Sequence, residues 1–125
     1  MTCAVVLLGH GSRAEGVSDR MLDVARALAA CVPTMIVRAA HRELCEPTLE
    51  QVVGELVEAS ANRIVVLPYF LHLGLHIQHD IPLQLANLRE RHPNVEFVLA
   101  EHLGYDERLV PVLLERLSAA LGDAG

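Results

Sequence analysis

Two short loops hold the side chains of this sequence best suited to chemistry. His10 lies in Gly9-His10-Gly11-Ser12, directly after the apolar run Val5-Val6-Leu7-Leu8, and His76 in Leu73-Gly74-Leu75-His76, shortly after Ile64-Val65-Val66-Leu67. Neutral imidazole is the commonest protein ligand for first-row divalent metals, and the same ring accepts a proton near neutral pH. The glycines beside both histidines let the backbone approach a ligand closely. A carboxylate from Glu43, or from Glu46, would complete a set of two nitrogens and one oxygen with positions left open for exchange. The plain alternative is a solvated loop ahead of a helix.

The other histidines rank lower. His72 and His79 flank His76 at helical spacing, and in a helix the three would share a face. Pro68, Gly74 and the helix-start pattern Asp80-Ile81-Pro82 predict a loop instead, which makes His72 and His79 peripheral. His92, before Pro93, reads as a helix end, and His102 has no partner visible in the sequence. Ser12 and Arg13 suggest a helix N-terminus able to grip carboxylates or phosphate through amides and a guanidinium. A phosphohistidine nucleophile at His10 is the competing chemistry, but Gly9 stands where that pattern has an arginine.

Positioning these loops falls to alternating elements. Cys3–Leu8 is a continuous apolar run of strand length, followed by Val17, Met21, Leu22, Ala25, Leu28 and Ala29 at helical spacing. Met35–Ala40 is a second strand, and a helix through Leu49, Val52, Val53 and Leu56 follows the N-cap candidate Thr48. Arg63–Leu67 is a third strand, Asp80-Ile81-Pro82 opens a third helix, and Val95–Leu99 follows a Pro93-Asn94 turn. A last helix spans about residues 106–121, with Pro111 predicting a later start or a kink, and the final residues read as a frayed tail.

Four apolar strands alternating with helices predict an α/β fold, a flavodoxin-like three-layer sandwich with a four-stranded parallel sheet covered by helices on both faces. In the order 2-1-3-4 the first and third strands are neighbours and a crevice opens beyond their carboxyl ends, where His10 and His76 lie. The 125 residues suit one domain with one core.

Composition excludes several classes. A net charge of −6 with a pI near 5.6 argues against nucleic-acid binding, and no apolar run approaches the ~20 residues of a membrane span. All 10 basic residues are arginine, which rules out a P-loop or Schiff-base lysine in this sequence. Residues 1–9 lack a basic leader and read as a strand, so the expected location is the cytoplasm. Cys3, Cys31 and Cys45 form no metal-ligand spacing and are expected to be buried.

Taken together, Leu8-Gly9-His10-Gly11-Ser12-Arg13, Glu43-x-x-Glu46-Pro47-Thr48, Pro68-x-Phe70-Leu71-x-x-Gly74-x-His76-x-x-x-Asp80-Ile81-Pro82 and Leu103-Gly104 resemble the CbiX/SirB family of sirohydrochlorin chelatases. The resemblance runs through nearly the whole chain and implies the short form. Residues 1–125 would be one chelatase domain, half of a bilobal class II chelatase, and would act as a homodimer. It implies ATP-independent insertion of Co²⁺, or Fe²⁺ or Ni²⁺, into sirohydrochlorin during cobalamin or siroheme synthesis, with no organic cofactor. A non-catalytic metal or tetrapyrrole carrier would use the same histidines.

By the same resemblance His10, His76 and Glu43 are the metal-binding and catalytic residues. Gly11, Ser12, Arg13, Arg42, Phe70, Leu71 and Gly74 would face the substrate. Where the family commonly carries an aromatic or aliphatic pair before the acid, this chain has His41-Arg42, which admits His41 as an extra ligand, and Arg42 as a contact for the substrate's carboxylates.

Overall fold

The computed structural model describes residues 2–11, 17–43 and 45–122. The chain runs β1 (Cys3–Gly9), α1 (Val17–Cys31), β2 (Ile36–His41), α2 (Leu49–Glu58), β3 (Arg63–Pro68), α3 (Leu75–Arg91), β4 (Glu96–Leu99) and α4 (Leu109–Leu121). The strands form one parallel sheet in the order β2-β1-β3-β4, as the sequence predicts.

Strand alternation sorts side chains to the two faces. Ala4, Val6, Leu8, Ile64, Val66 and Phe97 turn to one side and pack with α2 and α3. Leu7 and Ala39 turn to the other and meet Met21 and Ala25 of α1. Leu8↔Pro68 and Gly9↔His41 are register pairs, so the first three strands end side by side. The loops that follow them share one edge.

The predicted N-cap of α2 is present in full. Thr48 accepts from the Gln51 amide at 3.3 Å while the Gln51 side chain accepts from the Thr48 amide at 2.8 Å, a reciprocal pair that satisfies two helix-end donors.

The sequence reading places the start of α3 too late. The helix begins at Leu75, and Pro82 lies within it. An interior proline costs about 3 kcal/mol, because it removes a hydrogen bond and crowds the preceding turn. Ile77, Ile81, Leu85 and Leu88 are all buried along one stripe that runs through the proline, and each such side chain contributes roughly 1.5–3 kcal/mol. Burial wins, and His76 therefore sits on the first turn of a helix.

One smaller expectation changes, that of buried cysteines, and the later start of the last helix is met. Cys31 is exposed, while Cys3 and Cys45 are partly buried. The last helix starts at Leu109, which leaves Pro111 in its first turn where a missing N–H costs little. Asp106 organises that start: its carboxylate accepts from the Arg108 amide at 2.9 Å and from the Arg108 guanidinium at 2.7 and 2.8 Å. Those bonds hold its carboxyl well below the usual carboxylate range. No helix is long and apolar enough to cross a membrane among the described residues.

Candidate active site

The end of β1 is bound to the loop after β2 by main-chain hydrogen bonds. The Arg42 amide donates to the Gly9 carbonyl at 2.9 Å, and the Glu43 amide to the His10 carbonyl at 3.2 Å. Gly11 makes this approach feasible. Its φ of 89° lies in the left-handed region, and a Cβ there would overlap the Glu43 carbonyl oxygen. A Cβ at Gly9 would lie 2.9 Å from the Met21 methyl, so Gly9 lets Met21 pack directly against the end of β1.

His10 is exposed, and its ring meets Phe70 edge to face, with centroids 4.5 Å apart and planes at 72°. Phe70 itself is only 4% exposed. It supports the imidazole from below and offers a ligand little surface, whereas Leu71 and Gly74 in the same loop are exposed. The Tyr69 amide donates to the Leu8 carbonyl at 2.8 Å, which draws the loop after β3 alongside the loop after β1.

His76 is exposed on α3, with Asp80 one turn further along the same helix face. Asp80 pairs with Arg42 at 3.0 Å, and the other arm of that guanidinium pairs with Glu43, also at 3.0 Å. The Arg42 side chain is 16% exposed and its Nε is buried without a partner. The guanidinium expected to clamp substrate carboxylates is thus occupied by two carboxylates of the protein. It joins the acidic loop to the helix that bears His76.

Of the two candidate acids, Glu43 is the one hydrogen-bonded through its backbone to the histidine loop. Glu46 accepts from Gln51 at 3.2 Å and lies with Glu50, Glu55 and Glu58 along α2. Ser12 and Arg13 lie outside the described residues. His72 and His79 are exposed, and His79 shares α3 with His76 because the helix starts early.

His41 is 2% exposed at the end of β2, with Nδ1 buried and unpartnered. Burial pushes its pKa below the ordinary histidine value, so the ring is neutral. With Gly9, His10, Arg20, Met21 and Tyr69 it lines a cavity of about 360 Å³ on the α1 side of the sheet. A second cavity of about 430 Å³ opens beside Leu73, Ile77, Leu99 and His102. Among the described residues no three His, Cys, Asp or Glu side chains converge into a metal cage. His10, Glu43 and His76 stand on the segments that follow β1, β2 and β3.

Sequence reasoning missed two contributors to this arrangement. Asp80 stands in the sequence within a helix-start pattern and a family motif, with nothing to mark its pairing with Arg42, and the contact of Phe70 with His10 has no signature in local spacing.

Known proteins are similar to this chain in sequence and in fold. A sirohydrochlorin ferrochelatase from Priestia megaterium is 34% identical over 115 residues, covering 92% of this chain and 43% of the relative. A sirohydrochlorin cobaltochelatase from Methanopyrus kandleri is 32% identical over 140 residues, covering 96% of this chain and 98% of the relative. The solved structure of the sirohydrochlorin chelatase SirB from Bacillus subtilis subspecies spizizenii in complex with cobalt matches with a TM-score of 0.86 at 28% identity, over 95% of this chain and 51% of that one. The chain spans about half the length of the Priestia and Bacillus relatives and nearly all of the Methanopyrus one. The CbiX family model matches residues 4–120, and the chain belongs to the CbiX family.

Proposed function

We propose that this protein is a sirohydrochlorin chelatase that inserts a divalent metal, Co²⁺ first and Fe²⁺ or Ni²⁺ as alternatives, into the tetrapyrrole of cobalamin or siroheme synthesis. The observation that carries this reading is the shared edge: the backbone bonds of Glu43 to His10 and the Glu43–Arg42–Asp80 link to the helix of His76. The relatives are named for insertion of cobalt and iron, and no observation favours a carrier using the same histidines.

The reaction exchanges M²⁺ for two pyrrole N–H protons, so charge balances without ATP or a redox partner. The metal must shed water, and the protons must leave as the nitrogen lone pairs engage it. In this reading His10 and His76 hold the incoming ion by imidazole nitrogen, and Glu43 accepts protons beside it. An open row of ligands suits an ion in transit, because a closed cage would retain it. The macrocycle lies across the mouth of the His10 cavity, with Leu71 and the backbone at Gly11 and Gly74 against it. Arg20 at the cavity rim pairs with Asp23 at 3.2 Å through one arm of its guanidinium and offers the other to a substrate carboxylate.

The working form is a homodimer in the cytoplasm, each chain one unit of what the longer relatives hold in a single chain. The test is turnover: purified protein with sirohydrochlorin and Co²⁺ under anaerobic conditions accelerates the change in absorption spectrum over metal alone. Binding without acceleration would return the protein to the carrier reading.

A further inference from the structure

The row of side chains that faces α1 changes character at the end of the strands. Leu7 of β1 and Ala39 of β2 pack on Met21 and Ala25 of α1, and the next residues on that face, two further along each strand, are Gly9 and His41. A glycine and an imidazole continue two apolar side chains, and both line the cavity of about 360 Å³. The exposed His10 lines it as well, whereas Glu43 and His76 are not among its described lining residues.

Two groups in that cavity hold uncommitted electron pairs. His41 is 2% exposed with Nδ1 buried and unpartnered, a condition that buried polar atoms rarely show and that calls for a ligand. The Met21 side chain leans over Gly9, with its sulfur 3.2 Å and its methyl 2.9 Å from the position a Cβ would take. Gly9 and His41 are register partners on adjacent strands, ~4.8 Å apart, so the thioether and the imidazole share one face with no side chain at Gly9 to part them. Core packing accounts for Met21 taken alone, since methionine fills irregular gaps. It does not account for a ring nitrogen left without a partner beside it.

We infer that the inner end of this cavity is a copper(I) site, with the His41 imidazole and the Met21 thioether as its ligands and His10 at the opening. Thioether sulfur selects Cu⁺ over the harder divalent ions, and imidazole suits copper in general. The walls agree with that choice. Gly9, Met21 and Val24 are apolar, no carboxylate is among the described lining residues, and Arg20 at the rim adds positive charge. The desolvation cost of an ion rises with the square of its charge, so these walls admit a monovalent cation far more readily than a divalent one. Cu⁺ also accepts a low coordination number, which two inner ligands and one exposed ring satisfy. For the chelatase proposed above, and resting on that reading, the consequence is inhibition, because copper that engages His10 takes a ligand from the incoming metal.

The test reads metal binding without sirohydrochlorin, so its failure and that of the chelatase reading are distinguishable. Wild-type protein, Met21→Leu and His41→Leu are compared on a Cys31→Ser background, because an exposed thiol competes for the ion. Cu⁺ affinity is measured anaerobically by competition with a chromophoric Cu⁺ chelator, and methionine-methyl NMR follows Met21 directly. Bound Cu⁺ is expected to shift the Met21 methyl resonance, and each substitution to weaken Cu⁺ binding by about tenfold or more, the scale on which altered metal sites lose affinity. Co²⁺ affinity is expected to be the same in Met21→Leu as in the parent. Leucine conserves the volume of methionine and keeps the fold, with far-UV circular dichroism as the check. Should His41→Leu lose its folded spectrum, Met21→Leu decides the matter alone. An unshifted Met21 methyl at saturating Cu⁺, or equal Cu⁺ affinity in the parent and Met21→Leu, would overturn the site. Cu⁺ and Co²⁺ binding lost together would overturn it too, assigning the effect to the shape of the cavity.

Discussion

The Arg42 guanidinium and the Asp80 carboxylate meet at 3.0 Å across 38 residues of sequence, tying the loop after β2 to α3 one turn beyond His76. Asp80→Asn is expected to keep the fold and to lower metal insertion several-fold, because exposed or partly exposed ion pairs contribute only about 0–1 kcal/mol to stability. Arg42→Lys is expected not to restore full activity, since an ammonium cannot reproduce a planar fork on two carboxylates. Thermal melts and initial rates measured side by side check this. Unchanged rates in both variants would remove Arg42 from any positioning role.

Gly11→Ala is expected to cost about 2 kcal/mol, the range for a non-glycine residue forced into a sparsely populated region, with further loss from the overlap with the Glu43 carbonyl. Urea denaturation reads the stability. Insertion activity in the surviving folded fraction reads whether the two loops must touch.

His10→Ala and His76→Ala are expected to lower assisted insertion by about 100-fold or more, the scale of losing a positioned acid–base or ligand group. Folding should survive, because both side chains are exposed. His72→Ala and His79→Ala are expected to stay near wild type. An essential His79 beside a dispensable His76 would move the metal to another face of α3.

The buried His41 makes stability depend on pH. Its folded pKa is depressed, so below the unfolded value of about 6.5 the unfolded chain takes up a proton that the folded chain resists. The stabilisation is present above that value and drains away as pH falls toward the folded one. Urea midpoints are therefore expected to drop between about pH 7.5 and pH 5.5. His41→Asn is expected to flatten the drop, and parallel slopes in the two proteins would assign the acid sensitivity to another group.

The sheet order was legible because every strand is a short apolar run and the right-handed crossover rule leaves few arrangements. The edge position of His10 and His76 followed from that order. The start of α3 was not legible, since Pro82 reads locally as a helix opening and only the burial of Ile77 and Ile81 on either side of it shows otherwise. The partners of Arg42 were equally hidden: a guanidinium beside Glu43 reads as a free clamp until Asp80 arrives from α3. The apolar stripe of α4 reads like that of any core helix, and its lack of a covering partner within the chain appears only in three dimensions.

The contact of Gly11 with the Glu43 carbonyl also bears on how this protein can change. Two loops that meet main chain against main chain cannot drift separately, because an insertion in one displaces the other whatever side chains it brings. Variation that alters the reactive edge is thereby channelled to the replacement of side chains within loops of fixed length, and a redesign of its specificity would best begin there.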